Sequence, residues 1–153
     1  MNDIARLDVQ LPAMTQEDIN IATSIENIML GKEQFELETH HTIHGGVYSR
    51  TIILKAGQAI TGATIKVPTT LIINGNMKVY IGAEVKHVIG VAILTASANR
   101  KQVMVALEDT SVTMLFQTKA TTIEEAEEEF TNDSDRLASR LEDAINIINI
   151  SGE

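Results

Sequence analysis

The hydrophobic positions of this chain change period twice. Ile21, Ala22, Ile25, Ile28 and Met29 recur at spacings of three and four, which places them on one face of a helix of about four turns. Thr15 can cap its start, Glu17 and Asp18 suit the positive helix end, and Gly31 supplies a stop. From Val47 onward the pattern becomes β-branched runs broken by turn signals, as in all-β barrels and sandwiches. The predicted strands are 47–54, 59–67, 69–73, 77–81, 84–89, 91–95, 102–107 and 111–117. Asn74-Gly75 is the strongest hairpin signal, because both residues tolerate positive φ. Gly82 and Gly90 mark further bends, and Pro68 belongs at a strand end or bulge. Residues 123–130 predict a short acidic helix capped by Thr121 or Thr122. Leu137, Leu141, Ala144, Ile145 and Ile148 then predict a second amphipathic helix. The organisation is a lead-in and helix over 1–39, a β domain over 40–120, and acidic helices over 121–153 that pack on the barrel or on a partner subunit.

A chain of 153 residues fits one domain with helical extensions. Aromatics are only 3% and Trp is absent, so the core must be aliphatic and base-stacking platforms have almost no material. Without Cys there are no disulfides, thiolate metal sites or Cys nucleophile. Residues 1–6 lack the basic start and apolar core of a signal peptide. The most apolar stretch, 88–96, is too short to span a bilayer. The expectation is a soluble cytoplasmic protein.

The net charge of −9 is unevenly spread: residues 1–39 carry −6, residues 40–119 carry +5, and residues 120–153 carry −8. Two readings stay open. Acidic ends can simply solubilise the chain, or the basic middle can receive an anion. Duplex nucleic acid does not suit the acidic flanks, which would repel its backbone.

The run His40-His41-Thr42-Ile43-His44-Gly45-Gly46-Val47-Tyr48-Ser49-Arg50, the Ala56-Gly57 turn and the later Ala106-Leu107-Glu108-Asp109-Thr110-Ser111-Val112-Thr113 resemble small cupin-like proteins, many of them encoded by bacteriophages and prophages. The resemblance covers about residues 40–120. It implies a mainly β fold: a cupin-like antiparallel β-barrel, or jelly roll, flanked here by N-terminal and C-terminal amphipathic helices. It also implies a His-rich segment where this chain has 62–70, which holds no His, Asp or Glu. The second half of such a metal site would fall near 96–101, which is polar and basic. The barrel thus resembles a metallocupin whose ligand positions are replaced, partly by cations such as Lys66, Arg100 and Lys101.

Other constellations are sparse. His40, His41 and His44 form the one His cluster, but adjacent residues of an extended chain point oppositely, which argues against a shared metal. His87 reads as structural. Glu108-Asp109 are adjacent carboxylates that face different ways, and no nucleophile elbow or phosphate loop is present. Tyr48 and Arg50 share strand parity. An Arg fork can grip phosphate or carboxylate in bidentate fashion, and Lys adds a point charge. The candidate binding residues are therefore Tyr48, Arg50, Lys66, Arg100 and Lys101. The function expected is non-catalytic capture of a small anionic, nucleotide-like ligand by a homo-oligomer, without cofactor, metal or membrane. A cyclic-nucleotide immune signal is one such ligand. A phage structural component acting through protein contacts, and a metal-dependent cupin enzyme using His40 and His44, are the alternatives.

Overall fold

The computed structural model describes residues 10–152. The first nine residues of the expected lead-in lie outside the described residues. The elements run β1 (Gln10–Leu11), α1 (Gln16–Leu30), β2 (Glu38–His44), β3 (Val47–Leu54), β4 (Ala59–Thr61), β5 (Thr69–Ile81), β6 (Glu84–Ala96), β7 (Val103–Ala106), β8 (Thr110–Gln117), α2 (Ile123–Phe130) and β9 (Ile145–Ile150). Tight 3₁₀ turns at Ser134–Arg136 and Ala138–Arg140 link the last two.

The chain is mainly β, as expected, but the sheet does not close. Its strand order is β1-β6-β5-β8-β3-β2-β9, with β7 branching off β5 and carrying β4. Nor is it wholly antiparallel: β1 on β6 and β9 on β2 are parallel pairs. The expected hairpin at Asn74-Gly75 is absent. Residues 69–81 form one strand paired with β6 throughout, and Gly75 lies opposite Gly90 in register. At that point β5 changes its second neighbour, from β8 along Thr70–Asn74 to β7 along Met77–Tyr80. The two glycines are thus the corner at which one ribbon serves two facing layers. The hairpin turns are instead Gly45-Gly46, joining β2 to β3, and Gly82-Ala83, joining β5 to β6. Both Gly45 and Gly46 have positive φ, the requirement of a type I′ turn.

Alternation along the strands fills the interior. Tyr48 and Leu54 on β3, Ile73, Met77 and Val79 on β5, and Leu94 on β6 are fully buried. The expected strand 59–67 is cut short: only Ala59–Thr61 pairs with β7, and Ile65 adds a single bridge to Arg100.

The helices depart further. α1 begins as expected, with Thr15 Oγ1 accepting from the Asp18 amide at 3.1 Å, and stops at Gly31. Of its apolar stripe, however, only Ala22 is fully buried, and Ile28 and Leu30 face solvent. α2 is capped by Thr122. The second C-terminal helix does not form. Residues 134–140 make 3₁₀ turns and Ile145–Ile150 is an edge strand, exposed at every position. β-branched Ile loses side-chain freedom in a helix and gains a ladder on β2.

Candidate functional site

The inward faces of β3, β4, β5, β7 and β8 leave a cavity of about 230 Å³. α2 and the 134–140 turns close one side of it, and α1 brings Glu26 to its wall. Ile52, Ile60, Leu71, Met104, Met114 and Phe130 give it an aliphatic lining with one aromatic face. Arg50, Arg100, Lys101 and Arg136 add four cations, and Glu26 and Asp133 two carboxylates.

Three of the five residues singled out from sequence meet here: Arg50, Arg100 and Lys101. Tyr48 and Lys66 do not. Tyr48 is buried behind Arg50, stacked 6.4 Å from the Phe130 ring centroid and edge-on to Phe116. Lys66 is exposed and donates to Asn132 Oδ1 at 2.7 Å. Lys55, Lys78, Lys86 and Lys119 also lie outside the cavity lining. The site's missing members, Arg136, Glu26 and Glu127, come from the acidic flanks.

The cations differ in how their charge is met. Arg50 donates to Glu127 at 2.8 Å and to Ser139 Oγ at 3.0 Å, and lies over the Phe130 ring. Glu127, with a side chain only 2% exposed, also takes Arg140 Nε at 2.8 Å. Burial alone would raise the Glu127 carboxyl, but hydrogen bonds from Ser139, Arg140 and Arg50 outweigh it and hold the group below its ordinary value. Lys101, 5% exposed, reaches Glu26 Oε1 at 3.1 Å, and Arg136 reaches the same oxygen at 3.5 Å. Arg100 has no carboxylate among the described residues. It is 1% exposed and donates to the Ser97 carbonyl at 2.6 Å and to Thr69 Oγ1 at 2.5 Å. Its Nε has no partner among the described residues. Burial lowers this guanidinium to about 10.

Behind Arg50 runs a chain of directed hydrogen bonds. Asn146 Nδ2 donates to the Ser139 carbonyl at 2.9 Å, which turns its Oδ1 to His41 Nε2 at 2.6 Å. That oxygen can only accept, so His41 carries its proton on Nε2. His41 Nδ1 then accepts from Tyr48 Oη at 2.7 Å, and Tyr48 Oη accepts from Arg50 at 3.2 Å. Burial lowers the His41 pKa, assisted by the Arg50 charge and opposed by the Asn146 bond. A second proton on His41 would face a hydroxyl that already points its hydrogen at the ring.

A pH dependence follows. Between the lowered His41 value and the ordinary 6.5, the unfolded chain binds the extra proton and the folded chain does not, so stability rises with pH in that window. Melting temperature should fall as pH drops from about 7.5 to 5.5, with a slope of at most about 1.4 kcal/mol per pH unit from this group. His41→Gln should flatten the profile there. An unchanged slope in that variant removes His41 as its source. Glu127 adds a further loss at lower pH, below the ordinary carboxyl value of 4.5.

The His cluster does not converge. His41 is buried in this chain, His40 sits on the opposite face of β2 at 3.6 Å from Glu38, and His44 is exposed. No three His, Asp or Glu side chains gather as a metal-binding group among the described residues. His87, on β6, pairs with Asn76 across the strands at 2.6 Å. Asp109 takes the Ala56 amide at 2.9 Å in the turn beside β8. No helix among the described residues is long and apolar enough to cross a membrane.

No family model matches the chain, and no curated protein matches it. Among solved structures it is similar to a cupin 2 conserved barrel domain protein from Leptotrichia buccalis, at 16% identity over 60% of this chain and 45% of that one, with a TM-score of 0.48. It is similar to an RmlC-like cupin protein from Desulfovibrio desulfuricans, at 17% identity over 57% and 91%, TM-score 0.46. A cupin-2 domain containing protein from Shewanella frigidimarina gives 5% identity over 60% and 90%, TM-score 0.44. All three are cupin proteins. Overlaps this loose carry neither a ligand nor a reaction across, and they do not bear on a phage origin.

Proposed function

We propose that this chain is a non-catalytic binding protein whose interior cavity holds a small organic anion with an apolar body. The observation that carries this reading is Arg100, a buried guanidinium at the cavity wall with no carboxylate among the described residues. An uncompensated buried charge is costly, and an anion in the cavity relieves that cost. The aliphatic walls favour an alkyl or aryl acid over a nucleotide, whose polar edges would exchange water for Leu, Ile and Met side chains. Self-association would fall to the free part of the β6 edge, where Val85, Ile89, Val91 and Ile93 are exposed along one face.

Isothermal titration against octanoate, 1-naphthoate and a panel of nucleotides tests the reading, with light scattering on the same samples for the subunit number. We expect saturable binding of the apolar carboxylates. Arg100→Met should weaken it by about 10- to 100-fold, the loss of one charged hydrogen bond. Methionine fills the same space without a charge, so the fold should survive. Silence across the whole panel, at protein concentrations high enough to detect millimolar affinity, would end the proposal.

A further inference from the structure

Glu26 holds a position that a structural ion pair alone explains poorly. Its carboxylate is carried into the cavity wall by α1, an element that buries little of itself. Ala22 is the one fully buried residue of that helix, and its last turn leaves Ile28 and Leu30 in solvent. Yet the partner is Lys101, whose ammonium is almost completely buried and makes this one hydrogen bond. An ammonium has three donors to satisfy. Arg136 shares the same oxygen at the long distance of 3.5 Å, although its fork is built for two. One carboxylate oxygen therefore serves two cations; Arg136, 62% exposed, completes its hydrogen bonds in water, and the buried Lys101 is left short of acceptors. Ile60 and Met104 give the same cavity apolar wall.

From this we infer that Glu26 stands in for the carboxylate of the ligand, and that the ligand is a monocarboxylic acid with an aliphatic or aryl body which binds by exchanging with Glu26. The inference rests on the cavity reading above and names the ligand class and the route of binding. A free carboxylate can give one oxygen to Lys101 and the other to Arg136, while its apolar part lies against the aliphatic wall. Glu26 then returns to water with its helix. This costs little burial, because Ala22 is the one fully buried side chain of α1, Ile19 is only partly buried, and one side-chain bond, from the Thr61 hydroxyl to Met29 Sδ at 3.1 Å, ties its last turn to β4. Both chemistries of the pocket are used in the exchange: the buried Lys101 keeps a carboxylate partner, and Arg100 on the same cavity wall gains a negative charge nearby.

The test uses octanoate and its uncharged counterpart 1-octanol. In Glu26→Gln the cations no longer have an internal competitor, so octanoate affinity should rise about tenfold while octanol affinity stays as in the wild type. Adding Arg136→Gln to that variant should bring octanoate back towards the wild-type value. Octanoate affinity that is unchanged or lower in Glu26→Gln overturns the inference, and Glu26 is then only an anchor for α1. In that case the cavity proposal still stands, provided the wild type binds octanoate. Silence towards octanoate in both proteins ends the cavity proposal instead. Should Glu26→Gln fail to fold, amide exchange in the wild-type chain decides: octanoate must speed exchange across residues 16–30, and unchanged or slowed exchange there overturns the inference.

Discussion

Glu127→Ala should be the most damaging single charge removal in this chain, lowering stability by about 3–5 kcal/mol. The carboxylate is almost wholly buried and is the common acceptor of Arg50, Arg140 and the Ser139 hydroxyl. Removing it strands two guanidinium groups, one of them 13% exposed and wedged against Phe130. The damage spreads beyond the pair. Arg50 also donates to Tyr48, which feeds His41 and then Asn146 on β9, so the tie between β9 and the turn at Ser139 is weakened as well. Denaturant unfolding measures the loss as a lower midpoint. The cause is separable from burial as such. A Glu127→Leu, Arg50→Met double variant removes the more buried of the two stranded cations and should recover part of the stability, with Arg140, 21% exposed, still held by Asp135 and the Glu124 carbonyl. A double variant as unstable as the single one would place the cost elsewhere.

What the chain reveals before folding follows the range of the interactions concerned. The start of α1 was readable because Thr15 and Asp18 are three residues apart, and β3 because its alternation sets Tyr48, Arg50, Ile52 and Leu54 on one face. Local signals failed where a distant partner decided the outcome. Asn74-Gly75 has hairpin chemistry, but β6 runs on past it and β8 and β7 claim its two halves, so the pair becomes a corner within a strand. Leu137, Leu141, Ala144, Ile145 and Ile148 have helical spacing, yet Ile145–Ile150 finds β2 more than a hundred positions earlier. The run of β-branched Ile in that segment was the signal for a strand. In the site, Arg50, Arg100 and Lys101 were visible as basic residues in a basic domain. Glu26 and Glu127 are two among many acids of the flanks, where net charge alone does not single them out. Their spacing marked them: Glu127 shares a helix face with Ile123 and Phe130, and Glu26 falls between Ala22 and Met29. A carboxylate on the apolar face of a helix needs a buried cation, and the basic middle of the chain supplied one to each.

The corner at Gly75 carries the second large prediction. Gly75→Ala should cost about 2–4 kcal/mol, combining a disfavoured backbone with a steric clash. Its φ is 150°, a conformation that residues with a side chain rarely adopt. A methyl group there would run into Thr110 Oγ1 and come within 2.8 Å of Thr110 Cα. Thr110 cannot step aside cheaply. Its hydroxyl accepts the Asn76 amide at 3.0 Å and lies 2.8 Å from the Glu108 carbonyl, and the residue is buried where β8 begins. Those bonds hold the β7–β8 turn against the bend of β5, so a shift of Thr110 loosens the junction between the two layers that enclose the cavity. Gly57→Ala is the matched control. Gly57 also has positive φ, at 86°, but nothing lies within 4 Å of an added Cβ. It should lose only the backbone part, about 1–2 kcal/mol. The excess at Gly75 over Gly57, read from paired denaturant midpoints, combines the contact at Thr110 with the rarer backbone at φ 150°. Equal losses at the two positions would show that the bend depends on glycine's backbone alone and that Thr110 yields.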